Sequence, residues 1–420
     1  MQSFAHAHLD QFLFESFFRG KRNGVFVDVG AGDGQRQSNS LFFESSLGWS
    51  GLCVEPQPDA FSRLVAQRRC RCEQARVGER PADAGPVATS DAVPVRDLSS
   101  LLEQYALLQV DYCSIDTGGN ELAVLEGLDA GRFAIRVFSV HNVTADERVT
   151  GLLKSRGYEF VANLGGNWVF TRRDVQRLAR TSVVCAVWHG DPERSRLLDG
   201  HAANLARQSV TVEPIYVFDG ADEPPRPLPG RTVVVHEPLS IYQAWNIALA
   251  MVRTPFVMNL NLDDRLAPNA VEQLENALLR EGAALAAGDW RVCYSQQQTD
   301  AVEDCFPADR VPFVRDWPPP HGTDTRLGTD QRGTLGPATL WRMDAHIGAP
   351  RYPWRLADGT VLKVAGDVGW WQVLTQHLKK KVVRLPQIIG NYHSHPATQA
   401  EFRGGEPELA LMNTLGVSLL

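Results

Sequence analysis

Asn261-Leu262-Asp263-Asp264 follows a short apolar run, Pro255-Phe256-Val257-Met258-Asn259-Leu260. Adjacent carboxylates at the exposed end of a buried strand repel each other. A divalent cation is the commonest compensation, and it fills its remaining positions with water and substrate phosphates. Asp263 and Asp264 are therefore candidate ligands for Mn²⁺ or Mg²⁺, and through it for a diphosphate. The alternative is an acidic N-cap for a helix near Ala267-Pro268-Asn269, since acids favour that end of a helix.

A second candidate lies near the start. Val25-Phe26-Val27-Asp28-Val29-Gly30-Ala31-Gly32-Asp33-Gly34 reads as an apolar strand running into a glycine-rich turn, where a backbone can approach a ligand closely. Glu55 ends the next strand, about 20 residues on, where a ribose-hydroxyl acceptor belongs.

These residues need sheets to position them. The chain of 420 residues accommodates two domains. Two successive strand–helix patterns predict two mostly parallel α/β sheets. The first has expected strands at Val25–Val29, Gly51–Val54, Tyr112–Ile115, Val137–Val140 and Trp168–Thr171. The second has them at Val183–Val187, Glu213–Phe218, Thr232–His236, Phe256–Asn259 and Leu285–Gly288. The four-arginine stretch Arg172 to Arg180 reads as a short helical connector, which places the domains at 1–175 and 181–420. Pro224–Pro229 and Pro312–Pro320 read as loops, and His321–Gly336 as a mobile loop over a site.

Hydrophobic content of 44%, charged content of 22% and a net charge of −7 fit a globular protein and exclude a general nucleic-acid binder. The basic runs at Arg68–Arg71 and Lys379–Lys381 read as solvated helix faces. Seven cysteines without a CxxC spacing argue against a zinc site or disulfide framework. They fit reduced thiols and a cytoplasmic address. Met1 to Gly20 carries Asp10 and Glu15 and does not read as a signal peptide. No run reaches the roughly 18 apolar residues of a membrane span, while peripheral attachment to the inner membrane face is compatible with the sequence.

Phe26–Gly34, Ser38-Asn39-Ser40, Gly48–Pro56 and Asp111–Asp116 with Gly119-Asn120-Glu121 together resemble the FkbM-type methyltransferases over about residues 10–171. The resemblance implies a Rossmann-like domain that binds S-adenosylmethionine. It puts Asp28, Gly30, Gly32, Asp33 and Asp116 around the cofactor and Glu55 on the ribose. Two positions depart from the family pattern: Gly118 and Val140, the latter before His141-Asn142, stand where acids are usual. The stretch from Val77 to Val93 is also shorter than usual. The cofactor half is intact and the acceptor half is altered.

Ser182–His189, Pro214–Gly220, Leu239–Asn246, the Asp-Asp strand end, Leu335–Arg342, Ala365-Gly366-Asp367, Trp370 and Gly390-Asn391-Tyr392 resemble family-2-like glycosyltransferases of the GT-A fold over about 182–400. That resemblance implies a sugar-nucleotide donor held by Asp219, Asn246 and Asn261, a metal at Asp263 and Asp264, and Asp367 as general base. Asn261 departs from the family's usual Asp. One base opposite one leaving group implies inversion at the anomeric carbon, with a glycan or glycolipid as acceptor. Asp367 otherwise reads as an N-cap before Val368–Leu374. His393 and His395 are candidates for a metal or diphosphate contact, though such residues are more often surface loop. Trp188 and Trp245 read as core or pocket wall. Three functions follow as expectations: a bifunctional glycan-modifying enzyme, a glycosyltransferase with a degenerate methyltransferase-like domain, and a non-catalytic glycan- or nucleotide-binding scaffold.

Overall fold

Strands buried on both faces read as near-continuous apolar runs rather than alternating ones, and Val25–Val29 is such a run at the centre of the first sheet. The computed structural model describes residues 3–78, 93–311, 339–363, 366–394 and 408. The proline-rich segment at 312–320, the loop at 321–336 and His395 lie outside the described residues. The chain divides into two units, Met1–Leu178 and Ala179–Leu420.

In the first unit the strands are β1 (Val25–Val29), β2 (Ser50–Val54), β3 (Arg71–Glu73), β4 (Arg76–Val77), β5 (Val95–Arg96), β6 (Gln109–Ile115), β7 (Ala134–His141), β8 (Tyr158–Leu164) and β9 (Asn167–Arg172). The main sheet runs β3-β2-β1-β6-β7-β9-β8, and β4 pairs with β5. β1, β2, β3, β6 and β7 are parallel, while β9 is antiparallel to β7 and β8. Val27, Val29, Leu52, Val54, Cys113, Ile115, Phe138 and Val140 share one core. The β8–β9 hairpin turns on Gly165 and Gly166, both with positive φ, between the paired Leu164 and Asn167. A two-residue turn of that hand needs positive φ twice, which glycine adopts without steric cost.

The second unit contains β10 (Thr181–Val187), β11 (Val212–Phe218), β12 (Arg231–Val234), β13 (Phe256–Asn259), β14 (Arg265–Leu266), β15 (Leu285–Cys293), β16 (Phe306–Pro307), β17 (Leu340–Arg342) and β18 (Val382–His393). Its sheet runs β12-β11-β10-β13-β17-β15-β18-β14, with β16 on β18. β10 to β13 are mutually parallel, and β17 is antiparallel to both β13 and β15. Trp341, Trp370, Trp371, Tyr352, Tyr242 and Trp245 pack on one face of it.

The expected helical connector is absent. Arg172 ends β9, its side chain pairs with Asp174, and Val175 closes a turn onto the Arg172 carbonyl. β-Sheet pairing and this local turn take the backbone groups that a helix would have used.

Candidate functional sites

Ligands of open α/β sheets sit beyond the carboxyl ends of the strands, where the strand order reverses. In the first unit that point lies between β1 and β6. A cavity of about 640 Å³ opens there, lined by Gly30, Glu55, Gln57, Asp116, Thr117 and Asn120 among others. Gly30 has φ +84, and a Cβ on it would meet the Asp116 carbonyl oxygen at 1.8 Å. The close passage of β1 past β6 thus depends on that glycine. Glu55 is buried, its carboxylate accepting from the backbone N–H of Gly32 and of Gln57, each at 2.8 Å. This fixes the carboxylate at the pocket wall and leaves its remaining lone pairs for a ligand.

Three residues expected around the cofactor stand differently. Asp28 lies outside the lining. It is buried, accepts from Ser40 and shares a polar cluster with Arg68, which pairs with Glu44. β1 points successive side chains to opposite faces, so Asp28 and the core residues Val27 and Val29 diverge. Burial raises the Asp28 carboxyl against the opposing pull of Ser40 and Arg68. Asp33 and Gly32 are also outside the lining. Asp33 caps its own turn by accepting from Gln35 and Arg36 N–H groups, which lowers its pKa. Gly32 acts through its bond to Glu55. Asp116 does line the cavity, and burial raises its carboxyl while His141 and His6 oppose the shift.

In the second unit the order reverses between β10 and β13. Asp219 follows β11 and is buried. It accepts from the backbone N–H of His189 (2.8 Å) and of Leu239 (3.0 Å), and lies 3.0 Å from the His189 ring. One carboxylate thereby gathers the loops after β10, β11 and β12. Leu239 leads into the helix Ile241–Met251, whose start is fixed by a reciprocal capping box between Ser240 and Gln243. Within its first turn, the Tyr242 hydroxyl donates to Asp367 at 3.4 Å. Burial, then the Asp367 charge, keeps that hydroxyl protonated. The same helix start thus links Asp219 to Asp367.

Asp367 is partly buried, in the first turn of the helix Gly366–Gln372. Trp370 and Trp371 anchor that helix. Trp370 packs on Trp341 with ring centroids 5.2 Å apart and donates to the Pro350 carbonyl. The tryptophans thus hold the carboxylate rather than face a ligand.

Asn261 to Asp264 form a turn, closed by the Asp264 N–H on the Asn261 carbonyl at 3.2 Å. Burial alternates along it: Leu262 and Asp264 are buried, and Asn261 and Asp263 are partly exposed. The two acids are therefore not equivalent. Asp264, with no exposed surface, accepts from the His393 backbone N–H at 2.9 Å and ties the turn to the end of β18. Asp263 is the carboxylate within reach of a ligand. Neither caps a helix: the next one, Ala270–Glu281, starts after Asn269. The His393 ring meets the Thr299 hydroxyl at 3.2 Å.

Two further expectations change. Asn246 spends its amide on the backbone of Tyr352, donating at 2.9 Å and accepting at 3.0 Å. It is a structural clamp, because its helix face packs into the core. Trp245 is core, whereas Trp188 is 59% exposed at the end of β10 beside His189. Among the described residues no three His, Cys, Asp or Glu side chains cluster as metal ligands. No described helix is long and apolar enough to cross a membrane.

Sequence reasoning missed His189 and Tyr242 as members of this site. His189 lies two residues past the first strand of the unit, a position that could have marked it. Tyr242 gave no signal, because its partner lies 125 residues away.

No curated protein matches the chain. Among solved structures it is similar to S. aureus TarS 1-349 (13% identity, TM-score 0.38, covering 55% of this chain and 64% of that one). It is also similar to a complex of that protein with UDP-GlcNAc (11% identity, TM-score 0.37, covering 55% and 65%). A third is the mannosyltransferase PcManGT from Pyrobaculum calidifontis in complex with GDP-Man and Mn²⁺ (10% identity, TM-score 0.33, covering 51% and 56%). The chain thus spans less than two thirds of each of these. Within the first unit, which holds the cavity beside Gly30, Glu55 and Asp116, residues 71–160 match the methyltransferase FkbM domain, and the chain carries that domain there.

Proposed function

We propose that the protein is a bifunctional glycan-modifying transferase. Its second unit transfers a glycosyl group from a sugar nucleotide to a hydroxyl of a glycan or glycolipid. Its first unit binds S-adenosylmethionine and transfers a methyl group. The domains are 1–175 and 181–420, a division that the two units Met1–Leu178 and Ala179–Leu420 support. The observation that carries the reading is the joining of Asp219, after β11, to Asp367 through one helix start, at the sheet end where Asp263 follows β13.

The residues fit a divalent cation of modest protein ligation. Asp263 would hold Mn²⁺ or Mg²⁺ with Asp264 bracing the turn behind it, and donor phosphates would complete the shell. Such a cation, when bound, neutralises charge on the departing diphosphate. Asp219 orders the loops around the nucleotide, and the partly exposed Asn261 is a further donor contact. Asp367 takes the acceptor hydroxyl proton, and the Tyr242 hydroxyl steadies it by donating to one oxygen. A single displacement follows, with inversion. Gly118 and Val140 favour a second reading, in which the first unit binds cofactor without transferring methyl.

Isothermal calorimetry and turnover of a panel of UDP- and GDP-sugars with Mn²⁺ test the glycosyl site. EDTA should abolish transfer and Mn²⁺ restore it, and Asp263→Asn should weaken donor binding in folded protein. Undiminished transfer in EDTA overturns the metal assignment.

A further inference from the structure

The pocket edge of the first unit continues one strand beyond the cavity. β6 and β7 pair in parallel with Ile115 opposite Val140. Asp116 and His141 therefore follow side by side on neighbouring strands, roughly 5 Å apart along the backbone. Asp116 lines the cavity. The His141 ring is only partly exposed, and its Nδ1 is buried with no hydrogen-bond partner among the described residues. A buried polar atom without a partner costs about 1–3 kcal/mol, and such atoms mark places where a ligand supplies what the protein does not.

The surroundings are built for imidazoles. The turn at Gly165 clears the space that the His6 ring occupies, and Gly166 lies beside the His141 ring. A Cβ on Gly165 would lie 2.7 Å from His6 Cε1, and one on Gly166 would lie 3.5 Å from His141 Cε1. Both rings act electrostatically on Asp116, as does the like charge of Glu121. Glu121 is occupied with Thr117 and Gly119 N–H groups. That leaves Asp116 as the carboxylate at the strand end next to His141.

We propose that His141 is the proton acceptor for methyl transfer to a hydroxyl, with Asp116 positioning and charge-balancing its ring. The assignment rests on the reading that the first unit binds S-adenosylmethionine. The acceptor oxygen forms a C–O bond to the methyl carbon. The S–CH₃ bond breaks with its electron pair left on sulfur. The hydroxyl proton passes to the imidazole, and the Asp116 carboxylate balances the imidazolium. A histidine one residue past Val140 then does the work of the acids missing at Gly118 and Val140.

The test needs no acceptor. Histidine Cε1 signals of isotopically labelled full-length protein are titrated with S-adenosylmethionine and with S-adenosylhomocysteine, and binding of both is measured by calorimetry. The His141 signal is the one lost in His141→Gln. If that variant does not fold, it is reached by through-bond transfer from the Val140–His141–Asn142 backbone. The sulfonium cation beside the ring should lower the His141 midpoint by roughly one pH unit relative to the uncharged thioether. Equal midpoints on protein that binds both ligands overturn the base assignment and leave the cofactor reading standing. No heat with either ligand on folded protein removes the cofactor reading and takes the base with it.

Discussion

Single carboxylates in this protein do different jobs according to what their oxygens meet. Asp219 serves two backbone N–H groups and a histidine ring. Asp219→Ala leaves buried donors unsatisfied, and should lower stability by about 1–3 kcal/mol per donor and donor affinity by tenfold or more. A melting temperature and donor affinity unchanged from wild type would remove it from the site. Asp367 accepts from the Tyr242 hydroxyl at 3.4 Å, a long contact that steadies the carboxylate. Asp367→Asn should keep donor KM within about threefold while kcat falls by roughly 100-fold or more. Near-normal turnover would return it to helix capping. Asp219 and Asp367 were legible through the family resemblance, and Asp263 and Asp264 because adjacent acids at a strand end are chemically conspicuous. The division between Asp263 and Asp264 was not, because it depends on which way a four-residue turn faces and on the arrival of β18.

Elements were legible where local pattern sufficed. β1 and β13 span the expected Val25–Val29 and Phe256–Asn259, and Ser240 caps the helix it precedes. Ser240→Ala should cost about 1 kcal/mol, readable as a lower denaturant midpoint. β17, of three residues, was invisible because its length lies below any periodic signal. The second unit also holds two neutral histidines, His201 fully buried and His346 half-buried. Burial lowers His201 to about 3 and His346 to about 4, from an ordinary value of 6.5. Unfolding restores the ordinary value, so the unfolded chain binds more protons below it. Their stability contribution is complete above pH 6.5 and is lost as pH falls toward 4 and then 3. The slope reaches at most about 1.4 kcal/mol per pH unit for each ring. Denaturant melts between pH 7 and 5 should show it, and His201→Asn should flatten it. A slope unchanged in that variant would mean that another group titrates.

Each unit has a sheet and core of its own. Residues 1–178 expressed alone should therefore melt cooperatively and bind S-adenosylhomocysteine as the full chain does, by circular dichroism and calorimetry. A non-cooperative melt would show that the unit depends on the rest of the chain.

The sequence by itself determined the two α/β patterns, the glycine turn at Gly30 and the adjacent acids at the end of a strand. All of these follow from local chemistry and periodicity. Only the tertiary structure decided which groups meet. The pairing of Asp264 with His393 and Tyr242 with Asp367, and the placing of Asp116 and His141 at neighbouring strand ends, depend on strand order and packing. Those are set by packing between distant segments, and no local spacing encodes them.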